Sequence, residues 1–511
     1  MVDLSIYQAQ LVHSLYVAFR PAWQPHAVFI RTPGNLSWTY AQLEAVTSEL
    51  GLRLRAAGLR SGDRLVAVLE RSPWNIFLYL ACARAGVVYV PLNPRLTPGE
   101  LSPIVADADP SLVVCDPALE PVLRQALGVP AVAIHTLDAS GGGSLADVDP
   151  APDQLDAPLP PGHPAAIIFT SGTTGRPKGA LMPHGLFVAK ARSLGSALRY
   201  TAGDNLLHTL PLYHAHGLFM TLHCVLNAGA SITLLPRFDA TDVVRHLPQA
   251  TLFSGVPTVY KRLVDEPGLG EGARGVRLFI SGSAALAPEV FTAFEARTGH
   301  RIVECWGMSE TMTNSASPLD GERRPGSAGK ALPGVTLRAV DAAGEPVPAN
   351  VPGTLEVGFT VPFGGYWRRP AAEQPIVRDG RLVTGDIGRI DDDGYLTIVG
   401  RTGDTIVTGG YNVYPREVEI ALEAFPEVAR AAVFGVPHAD YGEAVVAAIE
   451  PASSSGIDRA ELLAKLRSRL VAYKLPKEIF VEASLPLTEL GKVQRRLLQQ
   501  KYAGHFGPQP G

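Results

Sequence analysis

The sequence predicts an α/β multidomain protein, with a large N-terminal body of two α/β sheet subdomains plus a small β unit, and an α+β C-terminal domain. Three observations support this prediction. The chain has 511 residues, which is more than one ordinary domain holds. Short apolar runs alternate with segments of helical period through much of its length. The last third changes first to short alternating strands and then to a mixed pattern.

The first subdomain begins with a strand, a helix and a strand in series. Arg64–Leu69 is an apolar β-rich run, Ser72–Ala85 has a helical period, and Val87–Pro91 is a second apolar run. This order is typical of a parallel sheet covered by helices. The alternation returns between Leu206 and Phe294, which predicts the second α/β half. The connection Asp138–Pro164 is rich in Gly, Asp and Pro, so we expect it on the surface.

Glycine and proline punctuate Gly334–Gly400, where short runs alternate apolar and polar residues as antiparallel strands do. We expect this β unit to complete an N-terminal domain of residues 1–400. The remaining residues, 401–511, are predicted to form a separate α+β domain. Its predicted elements after a first strand are a helix from about Pro415, an apolar strand near Ala431–Phe434 and a helix over Asp458–Tyr473.

Charge and cysteine usage exclude several classes of protein. Lys and Arg number 45 against 49 Asp and Glu, so the net charge of −4 argues against non-specific nucleic-acid binding. The four cysteines form no CxxC pair, which fits neither a disulfide framework nor a zinc cluster. Arg84 interrupts the apolar stretch Ile76–Leu92, which falls short of the ~18 residues that span a bilayer. We therefore expect a soluble, cytoplasmic protein without a membrane or nucleic-acid partner.

Hydroxyls, glycines and one lysine crowd into the ten residues Thr170–Gly179, directly after the apolar strand Ala165–Phe169. Such a loop can bring backbone N–H groups, hydroxyls and an ammonium group onto a polyphosphate. It fits neither the Walker pattern G-x-x-x-x-G-K-[ST] nor the Rossmann pattern G-x-G-x-x-G. Taken alone, it also fits an ordinary glycine-rich surface loop.

Five segments, in order and spacing, resemble the adenylate-forming superfamily, which includes acyl-CoA synthetases, firefly luciferase and the adenylation domains of peptide synthetases. The resemblance covers essentially the whole chain. It implies an enzyme that uses ATP, Mg²⁺ and coenzyme A to activate a carboxylic acid, and a mobile C-terminal domain that swings about a hinge between the two half-reactions. The segments are Thr170–Gly179, Glu304–Thr311, Thr384–Asp386, Gly400–Asp404 and Pro486–Lys492.

The resemblance also implies roles for single residues in the ATP site. Lys492 would bridge the substrate carboxylate and the α-phosphate, and Thr311 would hydrogen-bond the α-phosphate. Glu310 and the Thr170 hydroxyl would hold Mg²⁺. The other implied ATP contacts are Ser171, Gly172, Thr173, Thr174, Gly175 and Lys178 at the phosphates, Ser283, Ala284, Ala285, Trp306, Gly307 and Met308 at the adenine, and Asp386 with Arg401 at the ribose.

Each of these residues also has a purely structural interpretation in isolation. Asp386 could be a turn former, Trp306 a core residue where relatives usually have tyrosine, and Lys492 a solvated lysine. Their joint register with the family favours the functional interpretation. The same register makes Gly403 and Asp404 the hinge, with glycine where relatives often carry Asp or Lys, and makes Gly409, Gly410 and Tyr411 the loop that lines the coenzyme A tunnel.

The segments that contain His214, His216, Arg262 and Ser281 look most like those of malonyl-CoA synthetases, and with Met308 they are implied to line the acid pocket. A second carboxylate in a desolvated pocket requires a cation beside it. Arg262 is the candidate, because a helix beginning near Thr258 places both residues on one face.

Two other interpretations of these arginines stay open. Arg262 could be a surface arginine paired with Asp265 or Glu266. Arg277 is a second candidate cation, although arginine is common there in relatives with uncharged substrates, which favours a structural role.

The sequence thus predicts a ligase that makes malonyl-CoA, or methylmalonyl-CoA, from the free diacid. Departures from the malonate pattern at Ala215, Cys305 and Ser309 leave the acid open. The alternatives are a short-chain, medium-chain or aryl acyl-CoA ligase, a stand-alone adenylation enzyme that loads a carrier protein, and a non-catalytic protein that retains only the nucleotide site. Intact Lys492 and Glu310 argue against the last of these.

Overall fold

The structure, a computed structural model, contains four sheets with helices packed around them, which confirms the predicted α/β class. Its N-terminal sheet has six strands, all parallel except the last edge strand. The central strands are buried on both faces, as covering helices require. In spatial order the strands are Ala133–Thr136, Leu112–Cys115, Arg64–Val68, Val88–Pro91, Pro164–Thr170 and Lys178–Pro183. The structure describes residues 14–34, 36–127, 132–160, 162–170, 177–359, 361–409, 411–438, 440–453, 457–467, 469–488 and 491–506.

The central sheet has nine strands, of which six are parallel and three edge strands are antiparallel. One hydrophobic core joins this sheet to the N-terminal sheet and to the β unit, since it contains Leu65, Leu206 and Leu355. In spatial order the strands are Lys330–Ala331, Met312–Ala316, Val303–Met308, Leu278–Ser281, Leu252–Gly255, Asn205–His208, Ser231–Leu234, Val28–Arg31 and Ser37–Thr39.

The β unit and the C-terminal sheet are mainly antiparallel. The cores on the C-terminal sheet contain only residues from Ile406 onward. The strands of the β unit are Val335–Val340, Gly353–Phe359, Val377–Arg378, Arg381–Ile390 and Leu396–Arg401. The strands of the C-terminal sheet are Ile406–Thr408, Tyr411–Val413, Val428–His438, Gly442–Pro451 and Glu478–Val481.

Local signals set several helix ends. Ser72 caps the third helix with its side chain, and Gly86 ends it in the left-handed conformation. The helix expected over Asp458–Tyr473 is shorter than predicted, because it ends at Leu466 and only a 3₁₀ turn at Ala472–Lys474 follows. The helices are Leu15–Phe19, Tyr40–Ala56, Pro73–Ala85, Pro98–Ala108, Glu120–Leu127, His184–Ala197, Leu222–Ala228, Ala240–His246, Pro257–Val264, Leu269–Gly272, Pro288–Thr298, Pro415–Glu423, Arg459–Leu466 and Arg495–Tyr502.

All four cysteines are buried and unpaired. Within the described ranges, every helix is too short or too polar to cross a bilayer. The predicted site residues Thr170, Ser281 and Met308 stand at the carboxyl ends of strands in the two large sheets. Ligands of open α/β sheets bind beyond those ends, so the fold itself points to this edge as the site.

Candidate active site

A buried carboxylate, Asp386, receives two fixed hydrogen bonds. Arg401 Nε donates to its Oδ1 at 2.7 Å, and Trp306 Nε1 donates to its Oδ2 at 2.9 Å. Asp386 and Arg401 face each other on paired strands of the β unit, whereas Trp306 comes from the central sheet. Each carboxylate oxygen keeps a free lone pair, so Asp386 retains the capacity to accept two further hydroxyls.

The indole of Trp306 therefore does more than the sequence predicted, because its N–H orients the carboxylate expected at the ribose. The small residues expected at the adenine, Ala284 and Ala285, are exposed, and the neighbouring Ser283 is half-buried. A slot for a flat base requires accessible small side chains of this kind, and the adenine contacts remain a prediction.

The motif around Glu310 forms a tight turn between the antiparallel strands Val303–Met308 and Met312–Ala316. Gly307 is required there, since a Cβ atom on it would lie 2.1 Å from the Met312 carbonyl oxygen. Met312 itself has a φ of 56°, a left-handed conformation that a residue with a side chain adopts only under constraint. The chain thus holds Ser309, Glu310 and Thr311 in one compact, strained loop.

Thr311 does not fit the α-phosphate contact expected from the sequence. Its side chain is fully buried, and its Oγ1 accepts a hydrogen bond of 2.7 Å from Asn314 Nδ2. A hydroxyl without accessible surface cannot reach a nucleotide in this arrangement. Ser309 is the half-exposed hydroxyl of the same turn, so it replaces Thr311 as the candidate for the phosphate contact.

Tyr366, which sequence reasoning missed, joins two predicted ATP contacts. Its hydroxyl donates to Glu310 Oε1 at 2.7 Å, and its ring lies 5.3 Å from Lys178 Nζ. Burial and the Glu310 carboxylate raise the pKa of Tyr366, so the phenol stays a neutral donor. Backbone hydrogen bonds from Gly364 and Trp367 to the strand Lys178–Pro183 fix its position. The available signal was the run Gly-Gly-Tyr-Trp, two glycines followed by two aromatic residues.

The predicted phosphate loop connects the paired ends of an antiparallel hairpin, where Thr170 faces Lys178. The Thr170 hydroxyl donates to the Lys178 carbonyl at 3.3 Å, and both side chains are half-buried. The predicted contacts Ser171, Gly172, Thr173, Thr174 and Gly175 lie outside the described residues.

The side chains present fit a magnesium ion that is bound mainly through phosphates. Glu310 offers a carboxylate whose Oε1 is held by Tyr366, and Thr170 offers a hydroxyl. Both are hard oxygen ligands, and Mg²⁺ characteristically takes one or two carboxylates together with phosphate oxygens and water. In the described part of the chain, no group of three acidic, histidine or cysteine side chains forms a protein-only metal cage.

Lys492 reaches the nucleotide site from the C-terminal sheet side. Its ammonium group interacts electrostatically with Arg401 and Asp386, and partial desolvation in this cleft followed by the Arg401 charge lowers its pKa. The preceding Gly491 has a φ of 75°, and a Cβ atom on it would lie 2.5 Å from Thr258 Cγ2. Glycine at this position therefore lets the lysine loop lie against the helix Pro257–Val264.

His216 is the centre of the predicted acid pocket. Its Nε2 lies 2.8 Å from Ser254 Oγ and its Nδ1 lies 3.1 Å from Ser283 Oγ. Burial lowers its pKa to about 3, so His216 is a neutral hydrogen-bonding residue in this structure. Near it, the buried Ser281 Oγ has no hydrogen-bond partner among the described residues, whereas His214 packs against the Tyr213 ring.

The two candidate arginines have different environments. Arg277 makes a two-pronged ion pair with the buried Asp204, at 2.8 and 2.7 Å, which makes it a structural residue. Arg262 is exposed, with its guanidinium 6.0 Å from the Phe238 ring, and none of the described carboxylates pairs with it. Glu266, a suggested partner, accepts a hydrogen bond from Thr241 instead.

The loop predicted for coenzyme A lies on the exposed surface. Gly409 donates its N–H to Tyr441, and Tyr411 stacks on Tyr473 with ring centroids 4.7 Å apart. Gly410 lies outside the described residues. At the predicted hinge, Gly403 and Asp404 form a single 3₁₀ turn. The Lys492 ammonium group is therefore within electrostatic range of Asp386 and Arg401, while the loop predicted for coenzyme A is exposed.

Arg495 secures the predicted hinge to the C-terminal sheet region. It bridges Asp404 at 3.3 Å and the buried Glu419 at 2.5 Å. One side chain thus joins the predicted hinge to the helix Pro415–Glu423.

The chain is similar to known enzymes over nearly its whole length. Residues 19–367 match the family described as AMP-binding enzyme, and residues 417–492 match the AMP-binding enzyme C-terminal domain. It is 36% identical to a sulfoacetate–CoA ligase from Cupriavidus necator, over 94% of this chain and 96% of that protein. It is 34% identical to a feruloyl-CoA synthase from an Amycolatopsis species, over 94% and 97%, and 32% identical to a malonate–CoA ligase from Arabidopsis thaliana, over 87% and 78%. The crystal structure of ATP-bound MatB from Rhodopseudomonas palustris superposes with a TM-score of 0.92 at 39% identity, covering 96% of this chain and 99% of that one.

Proposed function

This chain belongs to the AMP-binding enzyme family and is an acid–CoA ligase, and we propose that the acid it activates is malonate or methylmalonate. The reaction is proposed to form an acyl-adenylate and pyrophosphate, and then the acyl-CoA and AMP. The similar ligases named above act on different acids, so the choice of acid depends on the pocket of this chain.

In the first half-reaction, an oxygen of the acid carboxylate attacks the α-phosphorus of ATP, and the bond to pyrophosphate breaks. Both partners are anions, so cations must lie between them. Lys492 supplies that charge beside Asp386, which with Trp306 and Arg401 holds the ribose. Lys178, packed on Tyr366, binds the outer phosphates. Glu310 and Thr170 would hold Mg²⁺, which supplies positive charge to the departing pyrophosphate.

In the second half-reaction, the thiol of coenzyme A loses its proton and attacks the acyl carbonyl, and AMP leaves. Lys492 interacts electrostatically with Asp386 and Arg401 in the present arrangement, whereas Gly409 and Tyr411 face solvent. A rotation about Gly403 and Asp404 would withdraw the lysine and bring this loop to the adenylate. The ion pair between Asp404 and Arg495 would have to rearrange in that rotation.

The observation that carries the choice of a diacid is the free guanidinium of Arg262. It lies one helical turn from Thr258, whose side chain packs against the loop of the catalytic lysine. His216 is neutral, and Arg262 is an exposed arginine without a carboxylate partner among the described residues, so it is our candidate cation for a second carboxylate. The sulfoacetate and malonate relatives both act on short acids with a second anionic group, which supports this class of substrate.

The decisive experiment measures CoA-dependent AMP formation with malonate, methylmalonate, sulfoacetate, succinate, acetate, propionate, hexanoate and ferulate. A clear preference for malonate or methylmalonate supports the proposal. A preference for ferulate, as the Amycolatopsis relative suggests, or for a plain monocarboxylate supports an aryl or short- to medium-chain ligase instead. Acyl transfer to a carrier protein but not to coenzyme A would support the stand-alone adenylation enzyme.

Arg262→Ala tests the pocket directly, with Arg274→Ala as a control at another exposed arginine of the same subdomain. A lost charge-assisted hydrogen bond costs about 1.5–3 kcal/mol, so kcat/KM for malonate is expected to fall by about tenfold or more relative to propionate. The control should leave that ratio unchanged. Equal losses with both acids would mean that Arg262 does not contact the substrate.

A further inference from the structure

Lys190 is a buried lysine in an apolar part of the large body. It lies on the helix His184–Ala197 and is 7% exposed. A small cavity beside it is lined mainly by apolar side chains, among them Phe187, Phe219 and Met312. None of the described carboxylates is near enough to pair with it, and burial lowers its pKa to about 7. Burying an amine of this kind is costly, so its contacts need an explanation.

Both described hydrogen bonds of the Lys190 amine fall on the strand that follows the Glu310 turn, and the amine also lies 5.7 Å from the Phe359 ring. Its Nζ donates to the Thr313 carbonyl at 3.1 Å and to Asn314 Oδ1 at 3.0 Å. Two N–H donors remain even on a neutral amine, so both hydrogen bonds persist whether or not Lys190 is protonated.

The amine also fixes which way the Asn314 amide turns. Because Lys190 donates, the amide must present its oxygen to Nζ, and its NH₂ group then points the other way. That NH₂ donates to Thr311 Oγ1 at 2.7 Å. Asn314 and Thr311 are both completely buried, so water offers no substitute partner. A directed chain of hydrogen bonds therefore runs from Lys190 through Asn314 to Thr311.

These hydrogen bonds hold the residues on both sides of Met312, the strained residue of the turn. Met312 has a φ of 56°, which costs about 1–2 kcal/mol for a residue other than glycine. Lys190 holds Thr313 and Asn314 directly after Met312, and Asn314 holds Thr311 directly before it. Glu310 is the neighbour of Thr311, so these hydrogen bonds hold the backbone from which the Glu310 side chain extends, while Tyr366 holds its carboxylate.

We propose that Lys190 is a positioning residue for the nucleotide site, which acts through Asn314 and Thr311 to hold the turn that presents Ser309 and Glu310 to the phosphates of magnesium-bound ATP. This inference rests on the proposed function in assigning those two side chains to the phosphates. Lys190 itself contacts neither substrate nor nucleotide.

The test compares Lys190→Met, which retains the apolar stem, with Phe187→Leu, which disturbs packing in the same cavity but breaks no hydrogen bond. Calorimetry gives the Kd of adenosine and the Kd of Mg-ATP. Lys190→Met should weaken Mg-ATP binding by about tenfold or more and leave adenosine binding within twofold, because adenosine has no phosphate and relies on Asp386 and Trp306. Phe187→Leu should change both constants equally little.

If Lys190→Met does not fold, a second variant still tests the proposal. Thr311→Val is isosteric and removes the Thr311 hydroxyl, which is the last member of this series of hydrogen bonds. It should therefore reproduce the selective loss of Mg-ATP binding. In the double variant the two losses should not add, as for residues that act through one network. Additive losses, or equal weakening of adenosine and Mg-ATP binding, would overturn the proposal.

These outcomes are independent of the acid that the enzyme uses. If the parent protein forms AMP with none of the acids tested, the proposed function fails, but the split between adenosine and Mg-ATP binding still decides the role of Lys190.

Discussion

Trp306→Phe separates the two contributions of the indole at the nucleotide site. Phenylalanine retains an aromatic face but removes the N–H that lies 2.9 Å from Asp386 Oδ2. Asp386 is 3% exposed, so water does not readily replace the lost donor. A hydrogen bond to a charged group contributes about 1.5–3 kcal/mol. We therefore expect kcat/KM for ATP to fall by about ten- to a hundredfold, since each 1.4 kcal/mol is one factor of ten.

The assay is acid-dependent exchange of pyrophosphate into ATP, which isolates the first half-reaction. Trp306→Phe, Asp386→Asn and the variant that carries both substitutions form a double-mutant cycle with the parent protein. If the indole acts through the carboxylate, the two losses are strongly non-additive. Trp38→Phe, in a half-buried tryptophan that packs on Phe77, is the control for loss of an indole elsewhere. A change of less than twofold in Trp306→Phe, or simple additivity with Asp386→Asn, would refute the argument.

Four further predictions follow from other contacts. Lys492→Ala should abolish pyrophosphate exchange and spare thioester formation from supplied acyl-adenylate, and equal loss of both would contradict its assigned role. Gly409→Leu should spare pyrophosphate exchange and impair thioester formation, with a raised KM for coenzyme A as the readout. An unchanged KM would show that this loop is not part of the coenzyme A site. Gly491→Ala should weaken exchange about tenfold or more, because its Cβ atom would meet Thr258 at 2.5 Å, and full activity would show that the lysine loop is freely displaced. Folding lowers the pKa of Lys190 from 10.5 to about 7, so its cost to stability is absent above pH 10.5 and complete below pH 7. The Tm of Lys190→Met minus that of the parent should therefore rise as the pH falls from 10 to 7, and a constant difference would contradict the burial of a titrating amine.

Cys224 is the other titratable group in the lining of the cavity beside Lys190. Burial raises the pKa of its thiol, so it stays neutral across this pH range and does not alter the sign of the expected change. Lys190 is thus the group in the described cavity lining whose protonation differs between the folded and unfolded chain near neutral pH.

Motifs predicted which segments meet, but they did not predict how each side chain turns. The motif around Glu310 predicted a phosphate contact for Thr311, yet the hairpin directs that side chain inward to Asn314 and leaves Ser309 accessible. The direction of a side chain in a three-residue turn depends on the φ of Met312, which a sequence pattern does not contain.

The sequence predicted which titratable residues belong to the pocket, but their charge states depend on burial and on their partners in the folded protein. His216 was predicted at the pocket, but its two serine partners and its burial make it neutral. The sequence also could not exclude Arg277 as the second cation. Its fixed pair with Asp204, which precedes the next strand but one in the same sheet, makes it structural.

The sequence by itself determined the α/β class, the order of the main strands and helices and the five segments of the site, because periodicity and short motifs are local properties of a chain. The tertiary structure decided the partners within the site. Trp306 meets Asp386 across 80 positions, Tyr366 meets Glu310 across 56, and Lys190 meets Asn314 across 124. Such hydrogen bonds depend on which distant strands pack together and on the rotamers that this packing allows, so they exist only once the chain is folded.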